Sequence, residues 1–179
     1  MNTFSESPTP AVYGAGSRYG HLLDWGPARL LVAEDDFEMR RLIVQSLRAD
    51  GYEVSDVADG RSLLDAVRSL GSSREMDPEL IVTDVRMVGG SGLDAVELLR
   101  QRRQRTPVLV VTAFGDEDVH RRAHLLDAAI LDKPFDPEDL CRTVFELLTG
   151  GSPHPEEDLF DAEETEGLLV SWGPVRPKA

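Results

Sequence analysis

The stretch Leu80-Ile81-Val82-Thr83-Asp84-Val85-Arg86-Met87-Val88-Gly89-Gly90-Ser91-Gly92 decides how this chain folds. Its first four residues carry no polar alternation, the signature of a short strand buried on both faces of a parallel sheet. Asp84 ends that strand, a glycine-rich loop follows, and Leu93, Val96 and Leu99 then recur at helical spacing. A carboxylate at the carboxyl end of a buried strand, ahead of a helix, stands where open α/β sheets place their chemistry. An Asp there also serves simply to cap the next helix, so its meaning depends on what the other strand ends carry.

Upstream, Leu30 to Ala33 read as a second buried strand, ending in Glu34, Asp35 and Asp36. Met39, Leu42, Ile43 and Leu47 mark a helix closed by Gly51, with Asp36 as its cap. Tyr52 to Val57 reads as a strand, Leu63, Leu64, Val67 and Leu70 as a helix, and Gly71 to Pro78 as a loop. Downstream, Gln101 to Arg105 is a basic, solvated helix end, and Pro107 introduces a strand over Val108 to Val111 that runs into Thr112 and Ala113. Asp116 to Leu126 predicts a helix, and Ala128 to Leu131 a strand ending in Asp132, Lys133 and Pro134. The last helix spans Pro137 to Leu148, with Asp136 as its cap. Five strands alternating with five helices predict one doubly wound parallel sheet with right-handed crossovers.

Outside this core the texture changes. Prolines and glycines interrupt residues 1–27, which predict a flexible extension. Residues 150–179 carry seven acids between Ser152 and Leu168 with no Lys or Arg, and predict a disordered acidic tail. Trp-Gly-Pro occurs at Trp25 to Pro27 and again at Trp172 to Pro174, too little to make a repeat. With 19 basic and 33 acidic residues, a net charge of −14, the chain is poorly suited to nucleic acid or anionic membranes. No signal peptide or membrane-length apolar run is evident, and the single cysteine, Cys141, offers neither a disulfide framework nor a zinc set. The expectation is a soluble, cytoplasmic protein.

In a parallel sheet the strand ends share one edge. Glu34, Asp35 and Asp84 therefore crowd together, with Thr112 and Lys133 beside them. Three carboxylates repel unless a cation sits among them, and an all-oxygen set suits a hard ion such as Mg²⁺. Asp84 is then the nucleophile for a phosphoryl group, Lys133 its charge partner before reaction and the phosphoryl's afterwards, and Thr112 a hydroxyl for another phosphoryl oxygen. His120 and His124, four apart, read as a solvated helix face.

From about Ala28 to Leu148 the chain resembles the receiver domain of response regulators in two-component signalling. The resemblance rests on Glu34-Asp35, on Asp84 with Met87 and Gly92 at the family's offsets, on Thr112-Ala113, and on Lys133-Pro134-Phe135. It implies a flavodoxin-like fold of strand order 2-1-3-4-5, with a receiver domain over 28–149. It also implies Asp84 as phosphoacceptor, Mg²⁺ held by Glu34, Asp35, Asp84 and the main-chain carbonyl of Arg86, Thr112 as switch hydroxyl and Lys133 as phosphate partner. Three positions depart from the pattern: Val88 replaces a usual Pro, Ile130 a common aromatic, and Leu125 to Ala129 an Ala-Gly-Ala sequence. A Val in place of that Pro predicts a looser loop.

The implied partners are a sensor histidine kinase or phosphotransfer protein upstream and an unidentified protein downstream, with a transient homodimer also compatible. A DNA-binding effector of the usual kind needs more than the 30 residues that follow the domain, so output by protein–protein contact is expected. The alternative is a pseudo-receiver that binds its partner without phosphorylation. A turnover phosphatase would want a second acid two residues beyond Asp84, where the chain has Arg86, so no turnover enzyme is expected.

Overall fold

The structure, a computed structural model, describes residues 27–71, 77–113 and 117–150. The N-terminal extension through Gly26, both tryptophans, most of the loop from Gly71 to Pro78, Asp116 and the acidic tail beyond Gly150 lie outside the described residues.

In chain order the elements are β1 (Arg29–Ala33), α1 (Phe37–Ala49), β2 (Glu53–Val57), α2 (Gly60–Ser69), β3 (Leu80–Asp84), β4 (Arg86–Met87) and β5 (Gly90–Ser91). They continue with α3 (Gly92–Gln101), β6 (Val108–Thr112), α4 (Glu117–Leu125), β7 (Ala129–Asp132) and α5 (Pro137–Leu148). The main sheet has five strands in the order β2-β1-β3-β6-β7, every pair parallel. Counting only these five strands, this is the expected order 2-1-3-4-5, the flavodoxin-like receiver fold.

Alternation along each strand divides the core in two. Leu30, Val32, Leu80, Val82, Leu109 and Val111 face one layer with Ile43, Leu47, Leu140 and Val144 from α1 and α5. Leu31, Ala33, Ile81, Val108 and Val110 face the other, with Leu63, Val67, Val96, Leu99 and Ala123 from α2, α3 and α4. Fully burying a Leu, Ile or Val contributes about 1.5–3 kcal/mol. Cys141 is buried at the edge of the first layer, where burial and the nearby Asp50 carboxylate push its thiol up to about 12. Among the described residues no helix is long and apolar enough to cross a membrane.

Helix starts follow local chemistry. Asp36 caps α1 by accepting from Met39 N at 2.7 Å, as expected, and Gly51, at φ +97°, turns the chain out of it. Asp136 occupies the equivalent position before α5, yet its side chain makes no capping hydrogen bond. Pro137 follows at the first helical position, where its fixed φ suits the helix and its missing N–H leaves one fewer unpaired donor at the helix start.

The loop after Asp84 departs from the sequence reading. Rather than an irregular segment it contains a short antiparallel hairpin, with Arg86 paired to Ser91 and Met87 to Gly90. Val88 and Gly89 are its two turn residues, and Gly89 has the positive φ, +82°, that a type II turn requires at that place.

Candidate functional site: a carboxylate cluster with a shared lysine

Because the sheet is parallel, the residues ending β1, β3, β6 and β7 emerge at one edge. Ligand oxygens of Glu34, Asp35 and Asp84 lie within 4.8 Å of one another, the one such group among the described residues. Lys133, just beyond β7, is bound to two of them: Nζ donates to Glu34 Oε2 at 2.6 Å and to Asp84 Oδ2 at 3.2 Å. The expected Lys133–Asp84 pair is present, but the shorter bond goes to Glu34, a pairing the sequence did not suggest. The peptide bond between Lys133 and Pro134 is cis.

Glu34 is only 1% exposed. Burial pushes its carboxyl above the usual carboxylate range, and the Lys133 ammonium pulls it part of the way back. Its other oxygen, Oε1, accepts from Asp36 N at 3.3 Å. Arg40 secures the same turn from α1, donating through Nη1 to the Glu34 carbonyl at 2.6 Å.

Asp84 is half-buried, with Oδ1 accepting from Arg86 N at 3.4 Å. Behind it, Gly92 begins α3 against the strand end so closely that a Cβ there would sit 2.1 Å from the Asp84 carbonyl oxygen. Only glycine permits that approach. Thr112 is buried at the end of β6, and its carbonyl accepts from Lys133 N at 2.7 Å, which joins the hydroxyl-bearing and ammonium-bearing strand ends. Arg86 lies in β4 with its side chain exposed, its backbone therefore beside the cluster through the bond to Asp84.

Asp35 behaves differently from its neighbours. Its Oδ2 accepts from Val88 N at 2.9 Å, and the Val88 carbonyl in turn accepts from Gly60 N at 3.0 Å. Val88, the residue in place of the usual Pro, is thus bonded on both sides, and one of the two bonds is one a Pro could not make. The sequence marked Val88 as a replaced Pro, and hence as carrying an N–H, but not that this donor reaches Asp35.

The two histidines stand apart from the carboxylates. His120 Nε2 lies 3.5 Å from Asp132 Oδ1, and His124 is exposed. Ile130, at the position of the common aromatic, is partly buried against the α2, α3 and α4 side of the core.

Chemically, three carboxylates at this spacing form a hard, all-oxygen donor set with one cation already shared between two of them. The set fits Mg²⁺. The comparisons with known proteins agree in fold and in family. The response regulator MprA of Mycolicibacterium vanbaalenii is 36% identical over 130 residues, which cover 71% of this chain and 53% of that protein. The response regulator receiver protein CpdR of Brucella abortus is 31% identical over 126 residues, covering 67% of this chain and 96% of CpdR. The chain therefore spans about half the length of the one relative and nearly all of the other. Among solved structures, the Vibrio cholerae chemotaxis protein CheY4 matches with a TM-score of 0.59 at 29% identity, over 68% of this chain and 99% of that one. The response regulator receiver domain family itself matches residues 30–145, from β1 into α5, and the chain belongs to that family.

Proposed function

We propose that Asp84 accepts a phosphoryl group from the phosphohistidine of a sensor histidine kinase or phosphotransfer protein, with Mg²⁺ bound beside it. A carboxylate oxygen of Asp84 forms the new O–P bond as the donor's N–P bond breaks, and the released imidazole takes a proton from solvent. The observation that carries this reading is the grouping of Glu34, Asp35 and Asp84 within 4.8 Å, with Lys133 bonded to two of the three.

Glu34, Asp35, Asp84 and the main-chain carbonyl of Arg86 would hold the metal. Bound there, Mg²⁺ supplies positive charge against the carboxylates and the incoming phosphoryl oxygens. Lys133 holds Asp84 in place before transfer. Afterwards it turns to a phosphoryl oxygen while Glu34 retains it, so the ammonium never lacks a carboxylate. The Thr112 hydroxyl, at the end of β6, donates to another phosphoryl oxygen and passes the change to the segment after β6.

Output then runs through protein–protein contact in the cytoplasm. The net charge of −14 supports a protein target over nucleic acid or an anionic membrane. The protein is a phosphoacceptor that loses its phosphoryl group to water, not a turnover enzyme, because Arg86 stands where a second acid would be wanted.

The test is intact mass after incubation with a small-molecule phosphodonor and Mg²⁺. Wild type gains one phosphoryl group, about 80 Da, and the gain disappears in Asp84→Asn and in EDTA. A folded wild-type protein that gains nothing would point instead to a pseudo-receiver that binds its partner unmodified.

A further inference from the structure

We propose that Val88 is a positioning residue of the metal site, acting through its backbone N–H: it fixes the Asp35 carboxylate and couples metal occupancy to the β4–β5 hairpin. The inference rests on the Mg²⁺ site of the preceding reading, but not on phosphoryl transfer.

In a two-residue hairpin the first turn residue has no ladder partner for its N–H, which ordinarily goes to water. Here Arg86–Ser91 and Met87–Gly90 are the paired positions, so Val88 is that residue. Its N–H reaches Asp35 Oδ2, 53 positions away in sequence, at 2.9 Å. Val88 as a whole is 74% exposed, and its contacts with the site are main-chain hydrogen bonds.

The far side of the turn is anchored as well. The Val88 carbonyl accepts from Gly60 N at 3.0 Å. Gly60 packs so tightly on the hairpin that a Cβ there would sit 2.4 Å from the Gly90 carbonyl oxygen. Asp59, capping α2 through Ser62 N at 2.8 Å, holds that helix start in place. The donor presented to Asp35 is therefore mounted on a fixed turn, not on a swinging loop.

A carboxylate already held at one oxygen gives up little rotational freedom when it takes a metal with the other. Donors that orient ligands in this way typically change affinity 10–100-fold when removed. Asp35 is the ligand for which this matters most, because Glu34 is bonded to Lys133 and Asp36 N, and Asp84 to Lys133 and Arg86 N. Metal uptake by Asp35 therefore acts directly on the turn that carries Val88, and through it on Gly60 and α2.

The turn geometry makes a clean test. Pro is favoured at the first central residue of a type II turn, so Val88→Pro removes the donor while suiting the backbone. Val88→Ala removes the isopropyl group and keeps the donor. Full-length ¹⁵N-labelled protein would be titrated with Mg²⁺ and followed by amide chemical shifts, with circular dichroism to confirm folding. We expect Val88→Ala to retain the wild-type dissociation constant within about twofold and Val88→Pro to bind about tenfold more weakly. In the wild type, the Val88 amide should shift along the same binding curve as the Asp35 and Asp84 amides.

Equal affinity in Val88→Pro and wild type would overturn the proposal. So would equal weakening in Val88→Ala, which would assign the effect to the side chain, or a wild-type Val88 amide that ignores Mg²⁺, which needs no variant to fold. No phosphodonor enters the titration. Failure of phosphoryl uptake at Asp84 would leave this inference standing, and loss of the Val88 effect would leave the phosphoacceptor reading standing.

Discussion

Lys133 and Arg100 are two half-buried cations at opposite edges of the same sheet, and their partners differ in kind. Lys133 sits at the carboxyl edge among side-chain carboxylates, Glu34 and Asp84. Arg100, at the end of α3, donates to four main-chain carbonyls: Leu126 at 2.8 Å, Asp127 at 2.9 Å, Gln104 at 3.0 Å and Thr106 at 3.1 Å. Those carbonyls belong to the loops leading into β6 and β7, and they cannot leave. Burial pulls the Arg100 pKa down, and the Asp127 carboxylate pushes it back. A cation bonded to backbone holds two loops together, whereas a cation shared between carboxylates can change partners when a phosphoryl group arrives. The same physical element serves architecture at one edge and chemistry at the other.

If that contrast holds, Arg100→Ala should give the larger loss of stability. It leaves four carbonyls without their donor in a region only partly open to water. We expect a loss of about 3 kcal/mol by urea denaturation, with phosphoryl uptake retained in the folded protein. A loss below about 1 kcal/mol would mean that water replaces the guanidinium and that the loops do not depend on it.

Lys133→Met should reverse the pattern. Stability should fall by about 2 kcal/mol at neutral pH, less than for removing one partner of a fully buried pair, because Glu34 can take up a proton. Phosphoryl uptake should disappear even though the protein folds. Retained uptake would remove Lys133 from the chemistry and make both cations architectural.

Glu34 sharpens the comparison further, with a smaller effect. Its carboxyl is raised above the ordinary value of 4.5 chiefly by burial. The folded chain therefore holds that proton more tightly than the unfolded chain does. The resulting stability is fully present below the unfolded value and is lost as pH rises through the folded one. Measured in EDTA, the stability difference between wild type and Glu34→Gln should change across the window that starts near 4.5 and extends upward, then level off. A difference that is flat through this window would show that Lys133 fully compensates the burial of Glu34.

The contrast also explains what could be read from sequence. The strands of the parallel sheet were legible, most plainly β1, β3 and β6, which are short apolar runs closed by a turn signal, whereas the β4–β5 hairpin was read only as a loop; parallel pairing then dictates that Glu34, Asp35, Asp84, Thr112 and Lys133 share an edge. Arg100 escaped notice because a basic residue in the last turn of a helix looks like an ordinary solvated end. The four carbonyls that give it meaning come from loops distant in sequence. At Val88 the replaced Pro showed that an N–H is present, but its acceptor, Asp35, lies 53 positions away and was hidden for the same reason. Asp136 does stand at the N-cap of α5, as its residue type suggested, but whether its carboxylate bonds the helix start is a matter of side-chain geometry that residue type does not fix. Side-chain chemistry is written in the sequence, whereas backbone partners are set by the fold.

The smallest effect concerns how the backbone comes to face Arg100. Asp127 has φ +52°, a left-handed conformation that favours glycine, and its carbonyl is one of the four acceptors. Asp tolerates this conformation better than most residues but still at a cost. Asp127→Gly should stabilise the protein by about 0.5–1 kcal/mol if the carbonyl's placement is what matters. Losing the carboxylate's attraction for the guanidinium works in the opposite direction. Asp127→Asn separates the two, because Asn accepts the same conformation without the charge. If Asn matches wild type and Gly exceeds it, in thermal melts at constant pH, Arg100 is held by main-chain geometry alone. If both variants are less stable than wild type, a side-chain charge pair also secures this edge, and the distinction from Lys133 becomes one of degree.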